Sequence, residues 1–255
     1  MFVGLQKTSL VNYPGRVAAA VFLPGCNLRC PFCHNGELAS ASVVSGPKKL
    51  TDDDNTYVAL EDVYAHLERR AMVLGGLAIS GGEPLLSPAL PALIAKARSL
   101  GMSVKIDTNG TLPDRLQSIL DDPALRPDMI AIDVKTIPSR YRELTTESGS
   151  DFAGIALVAS LAILARELDE TRHQHPHYRP LRVEYRTVLV PGLVGEAELL
   201  AIGDLLPADS DWELAPFVPG VCLDPSWNDI APYGPEETKR LLAVARGKVG
   251  RAQFR

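Results

Sequence analysis

Short, nearly continuous apolar runs alternate along the chain with stretches whose apolar side chains recur at helical spacing. The first kind predicts buried strands and the second amphipathic helices. VAAAVFLPG (17–25), GGLAISGG (75–82), SVKIDTNG (103–110), MIAIDVK (129–135), LRVEYRTVLVPG (181–192) and DWELAPF (211–217) read as six strands. LEDVYAHLERRAMV (60–73), SPALPALIAKARSLG (87–101), LPDRLQSIL (112–120), residues 151–168, EAELLAIGDLL (196–206) and PEETKRLLAVAR (235–246) read as helices. In the second helix Ser87 is the expected N-cap, Pro88 suits the first turn and Gly101 the C-terminal stop.

Strands alternating with helices predict βα units and a parallel sheet. An α/β fold results, for which a barrel or part-barrel fits best and an open doubly wound sheet is the second choice. Two polar stretches, 42–57 and 169–180, read as insertions. No linker marks a domain boundary, so the whole of 1–255 is expected to form one domain.

Composition narrows the function. With 46% apolar residues, the 255-residue chain can build a sizeable core, and its net charge of −5 argues against a nucleic-acid-binding surface. The first 16 residues hold no apolar stretch of signal-peptide length. No apolar run reaches the ~18 residues needed to cross a membrane, so a cytoplasmic location is expected.

Polar chemistry gathers at the C-terminal ends of the predicted strands. The first runs into PGCNLRCPFCHN (24–35), the second into SGGEP (80–84), the third into DTNG (107–110), and the fourth ends in Asp133 and Lys135. The fifth carries Glu184 and Arg186. In parallel sheets and barrels this is the ligand-binding edge.

Three of the four cysteines, Cys26, Cys30 and Cys33, stand in a C-x3-C-x2-C loop. Such crowding in a reducing compartment points to metal or redox chemistry rather than disulfides. Thiolates suit zinc or iron–sulfur clusters. Zinc needs a fourth ligand, which His34 would supply in a Cys3His module. A four-iron cluster on three cysteines instead leaves one iron open to an outside ligand.

The spacing, with Phe32 before the last cysteine, resembles the signature of radical S-adenosylmethionine (SAM) enzymes. The resemblance implies a [4Fe–4S] cluster on the three cysteines, SAM on the open iron, and reductive cleavage of SAM. Phe32, His34 and Asn109 are then expected beside the cofactors. SGGEP resembles the segment that holds the SAM amino group, which casts Ser80, Gly81, Gly82 and Glu83 in that role. DTNG and DVK resemble segments of enzymes that activate pyruvate formate-lyase, where they line the SAM site and hold a monovalent cation. That match places Asp107, Thr108, Asp133 and Lys135 at SAM and the cation. EYRTVLVPG is similar to the strand on which an arginine meets the substrate peptide and a valine lies near SAM, which implicates Arg186 and Val188.

A longer likeness, covering residues 1–220, runs to the anaerobic ribonucleoside-triphosphate reductase activating proteins. It implies a partial TIM-like barrel of six βα units, a single radical SAM domain with a core at 15–220 and a C-terminal helix and tail at 221–255. It also implies a glycyl radical enzyme as partner, an anaerobic ribonucleotide reductase, and a flavodoxin or ferredoxin-type electron donor. There are departures: Asn12 replaces the usual Asp of DYPG, and WELAPF lacks the His that pyruvate formate-lyase activases place near SAM. The 42–57 insertion is too short for a second cluster domain. A small-molecule radical SAM enzyme such as a 7-carboxy-7-deazaguanine synthase is the alternative, and a zinc-stabilised binding module the third. Cys222 reads as a buried or loop cysteine, and His173, His175 and His177 as a solvated loop.

Overall fold

The computed structural model describes residues 1–40, 56–145, 151–172 and 180–255. The six predicted strands are present as β2 (Ala18–Leu23), β4 (Gly76–Gly81), β5 (Ser103–Thr108), β6 (Met129–Asp133), β7 (Arg182–Leu189) and β8 (Asp211–Pro216). Three more flank them: β1 (Phe2–Ser9), β3 (Thr56–Ala59) and β9 (Ala252–Phe254). The order across the sheet is β3-β1-β2-β4-β5-β6-β7-β8-β9. β1 runs antiparallel to both β2 and β3, and every pairing from β2 to β9 is parallel. The sheet is open, with β3 and β9 as its edges, which makes the fold a partial barrel.

The helices are α1 (Gly36–Ser40), α2 (Leu60–Arg70), α3 (Leu90–Ser99), α4 (Pro113–Asp121), α5 (Phe152–Arg172), α6 (Glu196–Gly203) and α7 (Pro235–Lys248). α3 starts later than its sequence suggests. A 3-10 turn, Pro84–Leu86, ends before Ser87, a turn at Pro88 and Ala89 follows, Ala89 occupies the N-cap position, and Ser87 Oγ accepts from the Ala89 N–H instead. Gly101 does end the segment, at φ +74° with its N–H on the Arg98 carbonyl. The 169–180 stretch begins inside α5, and Thr56 and Tyr57 of the first supposed insertion belong to β3. Residues 41–55 and 173–179, which include His173, His175 and His177, lie outside the described residues.

The two-residue period of the strands sorts side chains by face. Leu77 and Ile79, Val104 and Ile106, Ile130 and Ile132, Tyr185, Trp212 and Leu214 are buried in one continuous apolar cluster with helix residues such as Leu93, Leu116, Leu164 and Leu199. Each of these large side chains stabilises the fold by ~1.5–3 kcal/mol on burial. The opposite face carries Ala78 and Ser80, Lys105 and Asp107, Ala131 and Asp133, Glu184 and Arg186, and Glu213, brought side by side by the strand register. The apolar face holds the helices on, and the polar face opens to chemistry. Among the described residues, no helix is long and apolar enough to cross a membrane.

Ile79 lies at the centre of this packing and is fully buried. Ile79→Ala is expected to lower unfolding stability by ~2–5 kcal/mol in urea titrations. A loss under ~1 kcal/mol would show a loosely packed helix layer.

Candidate functional site

The C-terminal ends of β2 and β4 to β8 surround one cavity of about 490 Å³. Its lining includes Cys26, Cys30, Phe32, Cys33 and His34 from the cysteine loop, and Ser80, Gly81 and Gly82 from the end of β4. Asp107, Thr108 and Asn109 follow β5, Asp133 and Lys135 follow β6, and Arg186 and Val188 lie on β7. Glu83, expected at the cofactor, and Glu184, at the polar end of the fifth strand, are not part of its lining.

Backbone contacts set the cysteine loop. The Arg29 N–H donates to the Leu144 carbonyl, and Arg29 Nη1 donates to the carbonyls of Cys26 (2.6 Å) and Leu28 (2.8 Å). The Cys33 N–H donates to the Cys30 carbonyl. Phe32 is buried with its ring 6.0 Å from that of Trp227. On the other side the loop meets the end of β4: the Gly82 N–H donates to Leu23 O and the Glu83 N–H to Gly25 O at 2.7 Å. A Cβ on Gly82 would stand 2.1 Å from the Gly25 carbonyl oxygen, and one on Gly81, at φ +123°, would stand 2.3 Å from Leu23 N. Both glycines are therefore required by close approach, and Gly81 also by its backbone conformation.

Glu83 serves the protein's own frame. Its carboxylate accepts from Leu85 N (3.0 Å), Thr108 Oγ1 (2.9 Å) and Asn109 N (2.7 Å), joining the ends of β4 and β5. It is fully buried and lies behind the cavity lining. Burial raises its pKa to about 7 against the three hydrogen bonds that favour the charged form.

A second network was not legible in the sequence. Asn109 Nδ2 donates to Asn27 Oδ1 (2.9 Å) and lies 3.7 Å from Cys26 Sγ. Asn109 Oδ1 accepts from both the N–H and the hydroxyl of Thr111, and Asn27 Nδ2 donates to Thr111 Oγ1. Asn27 and Thr111 are ordinary loop residues in sequence, and nothing short of the fold marks them. Glu213 also lines the cavity, beside Arg186 in the strand register. Strict alternation from the polar positions of β7 to those of β8 is the signal that finds it.

The charged residues form a ladder. Arg186 Nε donates to Asp133 Oδ1 (2.8 Å), and Nη1 lies 3.3 Å from Asp107 Oδ2. Lys105 pairs with Asp107, and Lys135 with Asp133 (3.3 Å). Burial would raise both carboxyl pKa values, but Arg186 first and the lysines next hold them below the usual carboxylate range. Two nitrogens of Arg186, expected to meet substrate, are thus committed to aspartates.

The donor set fits an iron–sulfur cluster. All three thiols are free and border one cavity. Burial raises the Cys26 pKa and pushes that of Cys30 up to about 12, so metal must displace their protons on binding. Among the described residues, no three His, Cys, Asp or Glu side chains gather around a single ion position. His34 Nε2–H donates to the Val218 carbonyl at 2.6 Å. With His34 engaged by Val218, the three free thiols are left as the donors, a set that suits a four-iron cluster with one open iron better than a Cys3His zinc ion. Cys222 lies half-buried in the loop after β8, its N–H donating to Asn228 Oδ1.

The sequence profile of the radical SAM superfamily matches residues 20–156. A Methanocaldococcus jannaschii protein, provisionally named a glycyl-radical enzyme activating enzyme, is 26% identical over 95% of this chain and 90% of its own length. A 7-carboxy-7-deazaguanine synthase of Methanopyrus kandleri is 35% identical over 54% of this chain and 56% of that enzyme. A pyruvate formate-lyase-activating enzyme of Listeria monocytogenes is 31% identical over 58% of this chain and 60% of that enzyme. In fold, Streptococcus suis SuiB bound to S-adenosylmethionine superposes with a TM-score of 0.59 over 92% of this chain and 51% of its own, at 15% identity.

Two outcomes are expected. Gly82→Ala should keep its secondary structure by circular dichroism but lose most of the iron taken up on anaerobic reconstitution; full iron content would show that the loop tolerates the clash. For Glu83 the raised folded-state pKa means that the folded chain holds more protons than the unfolded chain between pH 4.5 and 7. Its contribution to stability is complete below that window and falls as pH rises through it. Glu83→Gln should flatten that slope in unfolding titrations, and an unchanged slope would assign the titration elsewhere.

Proposed function

The chain belongs to the radical SAM superfamily, and from that premise we propose that it is an activase that uses SAM to generate a glycyl radical on a partner enzyme. Superfamily membership implies a [4Fe–4S] cluster and S-adenosylmethionine. The observation that carries the reading is the meeting of three free thiols with the glycine-lined end of β4 in one cavity. The likeness to a named activating enzyme along nearly the whole chain supports the activase class.

In this reading Cys26, Cys30 and Cys33 each hold one iron and leave the fourth to SAM. When bound there, the cluster would supply the electron for reductive cleavage of SAM, the source of the radical that the activase reading requires at the partner's glycine. The residues of this chain bind and orient. Ser80, Gly81 and Gly82 offer the ligand backbone groups at a strand end. Phe32 and Val188 supply apolar walls, while Lys135, Asp133 and Asp107 set the polar side. Asn109 holds the cysteine loop through Asn27 and Cys26. An anaerobic ribonucleoside-triphosphate reductase is the proposed partner, and a flavodoxin or ferredoxin-type protein the electron donor.

A second reading, a small-molecule radical SAM enzyme, has one observation in its favour. The local identity to a 7-carboxy-7-deazaguanine synthase is 35%.

The test is anaerobic reconstitution with iron, sulfide, SAM and a reductant. The chain is expected to release 5′-deoxyadenosine and to produce a glycyl signal in electron paramagnetic resonance once the right partner is added. Cys30→Ala should abolish cluster assembly and 5′-deoxyadenosine together. Cleavage with no glycyl signal across anaerobic ribonucleotide reductases and other glycyl radical enzymes would move the assignment to the second reading. Zinc in oxygen-free preparations would end both.

A further inference from the structure

We propose that the Arg186 guanidinium is a resident substitute for the monovalent cation, so that the SAM pocket works without bound sodium or potassium. The inference rests on the SAM-site reading above and bears on how that same site is balanced.

The residues present do not fit a dissolved cation. Asp107 and Asp133 are the carboxylates that would hold it, and each of their four oxygens already faces a fixed cation. Asp107 Oδ1 faces Lys105 and Oδ2 faces Arg186; Asp133 Oδ1 faces Arg186 and Oδ2 faces Lys135. The hydroxyl of Thr108, the neutral ligand on the same edge, donates to Glu83 and accepts from the Gly110 N–H. Two carboxylates thus stand among three cationic side chains. A further cation would enter next to like charge and would displace a protein donor from every oxygen it approached.

Register explains how one guanidinium serves both acids. Arg186 is the direct neighbour of Asp133, while Asp107 stands one strand further, opposite Ala131. The small side chain of Ala131 lets the guanidinium pass diagonally to Asp107. Lys105 is almost wholly buried and approaches the same acid from below, so the bridge is fixed from both ends. The cavity side of the ladder stays open, since Asp133 and Lys135 keep about a third and a fifth of their side-chain surface exposed.

Arg186 therefore acts as a positioning residue: it holds Asp107 and Asp133 at the strand ends. Its loss would leave Asp107 Oδ2 and Asp133 Oδ1 facing each other without a cation between them. That pair is a latent site for a dissolved monovalent ion.

The experiment compares the wild-type full chain with Arg186→Ala, each reconstituted anaerobically, in sodium, potassium and choline chloride at equal ionic strength. SAM affinity is read by equilibrium dialysis, and direct ion binding by sodium-23 line broadening with and without SAM. For the wild type, affinity should agree within about twofold across the three salts, below the coupling expected of linked sites, and sodium should show no specific broadening. Arg186→Ala should broaden the sodium line and bind SAM more weakly in choline than in sodium or potassium. If that variant does not fold, Arg186→Lys, which keeps one charge but cannot bridge both acids, should show a smaller response of the same kind.

Specific sodium broadening by the wild type, or a larger loss of its SAM affinity in choline, overturns the proposal. So does a folded Arg186→Ala protein indifferent to the salt. Failure of the reconstituted chain to bind SAM in any salt would instead refute the SAM reading, and the sodium signal recorded without SAM would still decide the cation question.

Discussion

The site depends on one close approach of backbone to backbone. Gly82 lies against the carbonyl of Gly25, leaving no room for even a methyl group, and the Glu83 N–H closes the contact at 2.7 Å. This contact fixes where the cysteine loop leaves β2 relative to the end of β4. The Glu83 carboxylate, buried directly behind it, then ties in the end of β5 through Thr108 and Asn109. Asn109 continues the chain of contacts back to Cys26 and Asn27. Three strand ends and the thiol loop are thereby one rigid unit, which is what a reaction on a highly reactive species demands of its container.

The remaining strands contribute charge in place of backbone. β5, β6 and β7 present alternating acids and bases on the polar face, and the parallel register sets Asp133 beside Arg186. Burying such groups is costly unless each is paired. Lys105, Asp107, Arg186, Asp133 and Lys135 meet that condition among themselves, so the ladder stands before any ligand arrives. Its members are conspicuous in sequence because a charged residue inside a buried strand needs a reason.

Much of this was legible beforehand, for a physical reason. Parallel strands buried on one face by helices write themselves as apolar runs, and the six central strands fall where such runs stand. The flanking strands did not announce themselves. β1 mixes Gly4, Gln6 and Lys7 into its alternation, β3 is four residues long, and β9 is three. They form because a neighbouring strand offers free backbone groups, and that neighbour is a tertiary fact. The start of α3 differs for a similar reason: Ser87 and Pro88 resemble a helix start, but a turn at Pro88 and Ala89 comes first and the helix begins at Leu90. At the site, the motif residues were readable as types and their partners were not. The sequence pattern of SGGEP offers Glu83 to a ligand, whereas the fold turns it inward to hold two loops. Arg186 reads as a free hand for substrate, whereas the register delivers it to two aspartates.

The charge balance of the cavity also bears on what it can hold. The ladder's three cations outnumber its two carboxylates, so a positive guest is disfavoured beside it and favoured on the opposite side of the cavity, by the thiols and Glu213. The thiols become thiolates on taking up metal, and Glu213 and Glu184 lie on the same face. Burial already works against negative charge at Cys26, Cys30 and Glu184, raising the pKa of each. A guest that brings positive charge relieves that cost, and one that brings negative charge adds to it. The sulfonium and ammonium groups of S-adenosylmethionine are of the favoured sign, and its single carboxylate can find Lys135 at the rim. The electrostatics of the thiol side and the chemistry of the proposed cofactor therefore point the same way.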